Sequence, residues 1–200
     1  MKIIFVRHGQ DDETHRGGWS QYGLLEAGHA QAKMTADCFR EQTAYDIGAL
    51  YASDLRRTME TAAYFSESLG LPIRQDSALR EINNGDLSGM PNEEAAVKYP
   101  GLFFSSLEME EPYPNGESPV EFFRRVQTWF TEFVKENRSS PRDILVVTHG
   151  GVIKVIYHLV RKAEWSNQHN TIPAEKCSIH VLNVDTMAWE VENQILWQSV

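Results

Sequence analysis

The sequence is poor in cysteine, in positive charge and in long apolar runs. Its 200 residues include two cysteines, Cys38 and Cys177, and 19 lysines and arginines against 28 acidic residues. Two cysteines cannot build a disulfide framework or a cysteine-rich metal site, although a single bridge between them stays open. The net charge of −9 opposes binding to nucleic acid and to anionic membranes, so an anionic substrate would need a local cationic pocket.

Further absences narrow the class of protein. No apolar run approaches the length of a membrane span, and there is no signal-peptide pattern, repeat or linker. We therefore expect one domain over residues 1–200 in the cytoplasm, which is a reducing compartment. The sequence has no HxH or HExxH motif and no carboxylates at ligand spacing, so we expect neither a metal nor another cofactor. The oligomeric state is open, with a homodimer as one option.

Apolar residues alternate between strand and helix patterns along the chain. The predicted strands are residues 3–6, 48–53, 71–74 and 143–148, followed by a hairpin around Asp185-Thr186. The predicted helices are residues 24–42, a helix capped by Ser53 or Asp54 that stops at residues 70–72, residues 118–136, and a helix through about Arg161. The first helix would carry Leu24, Ala27, Gln31, Met34 and Cys38 on one face. Because two strands are apolar throughout, we predict an α/β fold, a three-layer α/β/α sandwich with a mostly parallel central sheet.

Polar residues follow the ends of three predicted strands. Arg7 and His8 follow the first strand, residues 53–57 follow the second, and His149 with two glycines follows the strand 143–148. In an open parallel sheet, ligands bind outside the carboxyl ends of the strands, so these residues can converge on one crevice. Glycines allow close approach of the backbone, and the next helix offers free N–H groups. Together these features predict a phosphate site.

Five short motifs occur in order along the chain: VRHGQ, SDLRRTMETA, LREINNGDLSG, PNGES and VTHGG. With them the sequence resembles the histidine phosphatase superfamily, also called the phosphoglycerate mutase-like family, over nearly its whole length. The resemblance implies a phosphatase-type member, a metal-independent phosphomonoesterase acting on a small phosphorylated metabolite. It also implies a short helical lid insertion at about residues 83–117.

The resemblance assigns roles to the residues at the strand ends. His8 would be the nucleophile that forms a phosphohistidine, since a neutral imidazole attacks phosphorus without first losing a proton. Arg7 and Arg57 would clamp the phosphoryl oxygens. Periodicity does not separate Arg56 from Arg57, and the family pattern selects Arg57. His149 would contact the phosphoryl group and stabilise charge in the transition state.

The third motif and the loop after His8 complete the implied site. Glu81 would act as general acid and then as general base. The substrate-binding candidates are Gly9, Gln10, Thr14 and Gly150. The family often has asparagine six residues after the nucleophile; this chain has Thr14 there, in an acidic DDET loop, and either Thr14 or Gln10 could donate to phosphate. The other histidines lie in no comparable setting: His15, His29, His158, His169 and His180.

The segment between Met90 and Glu117 bears on the choice of substrate. It holds six glutamates and one lysine. A lid of that charge would repel a second phosphate, so a phosphomonoesterase is favoured over a phosphoglycerate mutase-type phosphotransferase. A protein phosphatase stays open because the segment also carries aromatic residues. These are Tyr99, Phe103, Phe104 and Tyr113. A catalytically silent phosphate-binding module is disfavoured because the implied catalytic set is intact.

Overall fold

The computed structural model describes residues 1–42, 44–169 and 171–198. In these ranges the strands are β1 (Lys2–Arg7), β2 (Ile47–Ala52), β3 (Ile73–Gln75), β4 (Asp143–Thr148), β5 (Ile179–Asn183) and β6 (Ala188–Gln194). The α-helices are α1 (Glu26–Arg40), α2 (Arg56–Leu69), α3 (Asn92–Lys98), α4 (Pro119–Asn137) and α5 (Gly150–Arg161). None of the helices in these ranges is long and apolar enough to cross a membrane.

The strands form one mixed sheet in the order β3-β2-β4-β1-β5-β6. The first four of these pair in parallel, and β5 and β6 extend the sheet in antiparallel fashion beside β1. Alternate side chains of β1 enter different cores: Ile3 and Phe5 pack on the side of α4 and α5, and Ile4 and Val6 on the side of α1 and α2. The predicted α/β fold with a mostly parallel sheet is confirmed.

The register of the central strands brings three chain segments to one edge of the sheet. β4 lies between β1 and β2, with Arg7 opposite Thr148. Hydrogen bonding continues beyond the strands, since the N–H of His8 donates to the Thr148 carbonyl at 3.0 Å and the N–H of Ser53 to the Val147 carbonyl at 3.1 Å. The residues that follow β1, β2 and β4 therefore emerge side by side.

Helix α1 is shorter than predicted and buries a different face. The residues it buries are Gly28, Ala32, Thr35, Ala36 and Phe39. Ala27, which belongs to the predicted stripe, is exposed. The buried face is built from small side chains because the loop after β1 passes close to the helix. A Cβ atom on Gly9 would lie 2.5 Å from the carbonyl oxygen of Gly28.

The other observed element boundaries lie within about two residues of the predicted ones, and one predicted helix cap is wrong. Helix α4 begins one residue later than predicted, after Ser118, which forms a capping box with Glu121. The predicted cap of α2 is wrong, because its N-cap residue is Leu55 and Asp54 instead pairs with Arg80 at 2.5 Å. Strand β3 starts at residue 73, and the β5–β6 hairpin encloses the predicted turn.

The two cysteines are free thiols. The disulfide that the sequence left open is therefore not formed. Cys177 is buried, and burial raises the pKa of its thiol to about 12, so the thiol keeps its proton at neutral pH.

Candidate active site

His8 is buried directly after β1, and its ring orientation is fixed. Its Nδ1 lies 2.8 Å from the carbonyl oxygen of Gly9, so this nitrogen carries the proton and donates it. The lone pair is then on Nε2. Burial, reinforced by the nearby Arg57 guanidinium, holds the pKa of His8 well below its ordinary value. His8 is therefore neutral at neutral pH, the state in which an imidazole nitrogen is nucleophilic.

The structure separates the two neighbouring arginines of the second motif. Arg57 is 2% exposed, whereas Arg56 lies at the surface and pairs with Glu60 at 2.7 Å. Nη2 of Arg57 donates to the Gly18 carbonyl at 2.7 Å, and Nη1 lies 3.3 Å from both oxygens of Ser20. The buried Nε of Arg57 has no hydrogen-bond partner among the described residues. Arg57 is thus the one that reaches the site.

His149 caps α5 and holds Arg57 in place. Nη2 of Arg57 donates to Nδ1 of His149 at 3.2 Å, so the proton of the imidazole lies on Nε2, which donates to the Ser53 hydroxyl at 2.9 Å. The ring meets that of His8 edge-on at 5.1 Å between centroids. Burial and then Arg57 hold the pKa of His149 well below its ordinary value. Both ring nitrogens are engaged, so direct contact of His149 with a phosphoryl group stays a prediction.

Arg7 extends over the first turn of α5. Its Nη1 donates to the Ala174 carbonyl at 2.5 Å, and its buried Nε lacks a hydrogen-bond partner within the described part of the chain. A Cβ atom on Gly150 would lie 3.3 Å from that Nε. The glycine therefore lets the guanidinium lie close against the start of the helix.

Glu81 reaches the same helix terminus. Its Oε2 accepts the N–H of Gly151 at 2.9 Å, and its Oε1 accepts the N–H of Ile82 at 3.1 Å. A Cβ atom on Gly151 would lie 2.1 Å from Oε1, so a larger residue there would displace the carboxylate. Arg7 and Glu81 line one cavity, which brings the predicted acid beside a predicted phosphoryl ligand.

The backbone amides that follow His8 are already used within the fold. The N–H of Gly9 donates to the Thr61 hydroxyl at 3.1 Å, and the N–H of Gln10 to the side chain of Gln31 at 3.0 Å. These bonds fasten the loop to α2 and α1. Gly9 contributes through its carbonyl, which orients the His8 ring.

Thr14 forms its hydrogen bonds within its own loop. Its hydroxyl donates to Asp12 at 2.6 Å and lies 2.9 Å from Nδ1 of His15, in an exposed loop. The acidic loop supplies this hydroxyl with a carboxylate acceptor two residues away. Donation from Thr14 to phosphate therefore stays a prediction.

The motif analysis assigned no role at the site to three residues that lie there. Asp11 lies 3.5 Å from Nε of Arg57, Lys176 pairs with Asp11, and Ser53 contacts His149. The unusual acidity after the first motif was the available signal for Asp11. Lys176 carries no local signal, because its partner is 165 residues away in sequence.

A cavity of about 420 Å³ opens beside Arg7 and Glu81. Its other lining residues include Phe104, Phe122, Lys154, Trp165, Asn167 and Gln168. None of the six glutamates of the lid segment lines this cavity in the described chain. Glu117 instead pairs with Arg125 at 2.7 Å, and Glu108, Glu110 and Glu111 are exposed. The predicted repulsion between the lid and a second phosphate therefore has no contact to support it.

Residues 3–195 match the histidine phosphatase superfamily (branch 1). The chain belongs to this family. It is 33% identical over 167 residues to phosphoglycerate mutase-like protein 4 of Arabidopsis thaliana, covering 80% of this chain and 71% of that protein. It is 29% identical over 163 residues to the 2,3-bisphosphoglycerate-dependent phosphoglycerate mutase of Brucella ovis, covering 77% and 78%. A mycobacterial glucosyl-3-phosphoglycerate phosphatase, solved with inorganic phosphate, superposes with a TM-score of 0.76 at 26% identity over 98% of both chains.

The predicted family is confirmed, and with it the predicted enzyme class, a phosphoric monoester hydrolase of the histidine phosphatase type. Its relatives include phosphatases and mutases alike. The substrate and the covalent intermediate are therefore matters for a proposal.

Proposed function

We propose that the protein hydrolyses a small phosphomonoester through a phosphohistidine on Nε2 of His8. The observation that carries this proposal is the orientation of the buried His8 ring. Its Nδ1–H is held by the Gly9 carbonyl at 2.8 Å, which leaves Nε2 as the nucleophilic atom. The low pKa of His8 means that this nucleophile stays available in mildly acid solution.

Arg7 and Arg57 supply the phosphoryl clamp. Arg7 and Arg57 each carry an Nε–H that no described residue accepts. A buried guanidinium donor without an acceptor is costly, and a phosphoryl oxygen would satisfy it. His149 acts on the clamp by orienting Arg57.

Glu81 moves the proton in both half-reactions. Nε2 of His8 bonds to phosphorus as the ester P–O bond breaks, and the departing oxygen takes the proton of Glu81. Water then attacks phosphorus, the P–N bond breaks, Glu81 recovers a proton from the water, and inorganic phosphate leaves. The shared cavity of Arg7 and Glu81 supports this division of roles.

The cavity beside Glu81 suits the remainder of the substrate. Phe104, Phe122 and Trp165 offer aromatic surface, and Lys154 offers one positive charge. A volume of about 420 Å³ fits a metabolite better than a folded protein. We therefore favour a monophosphate with a partly apolar remainder, carrying an anionic or acceptor group that Lys154 binds.

A phosphoglycerate mutase-type reaction is the second candidate. The mutase of Brucella ovis is among the relatives, and Lys154 could hold the carboxylate of a small phosphorylated acid. A protein phosphatase gains less support. Four aromatic residues of the lid segment suggested it, and in the described chain only Phe104 among these four lines the cavity. Tyr113 is buried, and Phe103 packs under Arg16 at the surface.

The deciding experiment is to trap the intermediate. The protein is mixed with a radiolabelled aryl phosphate and quenched in base. We expect acid-labile, base-stable label on the wild type and on the His15→Gln variant, and none on His8→Gln. Label and turnover on His8→Gln would refute the mechanism, and absence of both in the wild type would indicate a silent binding module. Transfer of label to 3-phosphoglycerate in preference to water would favour the mutase.

The proposed reaction needs no metal ion. Turnover should persist in excess EDTA, since the arginines supply the positive charge that a metal ion would otherwise supply. Loss of turnover with restoration by zinc or magnesium would contradict it. A cytoplasmic location rests on the sequence alone.

A further inference from the structure

Asp11 places a carboxylate beside Arg57 and His8, in the pocket where the proposed phosphatase reaction requires an anion to bind. Its Oδ2 lies 3.5 Å from Nε of Arg57, and its Oδ1 lies 4.0 Å from Nδ1 of His8. The side chain is 13% exposed. Asp11 is fixed there by a backbone bridge to Leu24, which joins the loop to the start of α1.

Lys176 neutralises this carboxylate from the far end of the chain. Its ammonium group binds Asp11 directly and lies 3.2 Å from Glu13, with 15% of the side chain exposed. The next residue, Cys177, donates its N–H to the carbonyls of Arg7 and His8 at 3.1 and 3.3 Å. Lys176 is thereby tied to the end of β1, beside the nucleophile.

The contact between Asp11 and Arg57 is of ion-pair length and is not a hydrogen bond. The Nε–H of Arg57 is buried and still lacks an acceptor among the described residues, although the Asp11 carboxylate lies only 3.5 Å away. A carboxylate at this distance lowers the attraction of the guanidinium for another anion, yet leaves the donor free to bind one.

We propose that Asp11 is an internal anion that competes with the phosphoryl group for Arg57, and that Lys176 limits this competition by neutralising part of its charge. Asp11 thereby weakens the binding of inorganic phosphate and so favours its release after the phosphohistidine is hydrolysed. This inference rests on the proposed function, since it assumes that the phosphoryl group binds at His8. Asp11 is a positioning residue of the pocket and takes no part in the covalent steps.

The test is the affinity of the full chain for inorganic phosphate, measured by titration calorimetry. Asp11→Asn should bind phosphate about tenfold more tightly, since removal of one negative charge a few ångströms away is worth at least that much in a partly buried pocket. Asp12→Asn is the matched control. It removes the same charge from the adjacent residue, whose carboxylate contacts Thr14 and His15 outside the pocket, and should leave the affinity unchanged.

A second variant keeps the inference testable if Asp11→Asn fails to fold. Lys176→Met leaves the Asp11 carboxylate without its counter-ion and should weaken phosphate binding several-fold. Unchanged or weaker binding by Asp11→Asn, or unchanged or tighter binding by Lys176→Met, would overturn the inference. If the wild type still forms the phosphohistidine in that case, the proposed function stands. If the wild type neither binds phosphate nor forms the intermediate, both proposals fall.

Discussion

His149 and His180 are both fully buried, and in both the Nε2–H group donates to a serine hydroxyl at 2.9 Å. The serine is Ser53 at the strand ends and Ser178 beside β5. In each case the tautomer is set by a donor on the other side of the ring, because an N–H group points at Nδ1. By burial and tautomer alone, the two histidines are alike.

The difference lies in what reaches Nδ1. In His149 it is the guanidinium of Arg57 at 3.2 Å, and in His180 it is the neutral hydroxyl of Tyr157 at 2.9 Å together with the N–H of Asn193. Burial alone lowers the pKa of His180, to about 4, whereas the arginines add to burial at His149. A buried histidine is thus common to a structural core and the candidate active site, and the adjoining cations distinguish the candidate site.

The largest loss of activity should come from replacing Arg57, the cation that contacts His149 and has no counterpart at His180. Arg57→Lys should lower kcat/KM by a factor of about 100 to 1,000, because an ammonium group cannot reach His149, Gly18 and a phosphoryl oxygen together. Arg56→Lys, one residue away at the surface, should stay within about twofold of the wild type. Steady-state hydrolysis of an aryl phosphate compares the two. Equal losses would mean that Arg57 serves the fold and not the substrate.

His180 should contribute to the stability of the protein and not to its activity. The pKa of His180 is about 4 in the folded chain, against 6.5 when exposed. Because the unfolded state binds the proton first, the contribution of His180 to the free energy of unfolding is fully present above about pH 6.5 and is lost as the pH drops towards 4. Across that window His180 should account for a loss of about 3 kcal/mol. Urea unfolding at several pH values measures this loss.

A variant isolates the share of His180 from that of the pocket. His180→Gln should show a shallower decline of stability between pH 6.5 and 4 and should retain its turnover at pH 7. Part of the decline should persist, since His8 and His149 are also buried with pKa values well below the ordinary one. An unchanged decline in the variant would mean that His180 accepts its proton in the folded state as readily as in the unfolded chain.

The same contrast explains how far the sequence could be interpreted. The continuous apolar runs of β1 and β4 predicted a sheet covered on both faces, because every residue of such a strand meets a core. The strand-end motifs then predicted His8 and His149. The prediction of the buried face of α1 was wrong because small residues such as Gly28 and Ala32 carry little apolar signal, although they allow close packing.

Contacts between distant segments explain the remaining errors. Ser53 has the composition of a helix cap, and only the fold shows that its hydroxyl meets His149, 96 residues away. The lid glutamates formed a clear charge pattern, but irregular segments have no periodicity from which the direction of a side chain could be inferred. In the described chain none of them lines the cavity, whose charged lining residues are Arg7, Glu81 and Lys154.

A smaller loss of activity should follow from replacing Glu81, the proposed proton donor. No such donor is proposed beside His180. Glu81→Gln should lower kcat by about a hundredfold for an alkyl phosphate, whose leaving oxygen needs a proton. The loss should be about tenfold or less for p-nitrophenyl phosphate, whose phenolate departs without one. Parallel kcat measurements on both substrates test this. Equal losses would indicate that Glu81 only supports the start of α5 through the N–H of Gly151.

The smallest loss of activity should come from replacing the serine that accepts the Nε2–H of each histidine, Ser53 for His149 and Ser178 for His180. Ser53→Ala leaves the Nε2–H of His149 buried without an acceptor, which should cost about 1–3 kcal/mol of stability and loosen the hold on Arg57. Ser178→Ala does the same to His180, so the two variants should lose similar stability. Only Ser53→Ala should also lose turnover, by about threefold to tenfold, because its histidine orients a phosphoryl ligand. Urea unfolding and aryl phosphate turnover of the two variants decide the matter. A fall in turnover of the same size in Ser178→Ala would show that activity follows stability alone, and that His149 is no closer to the chemistry than His180.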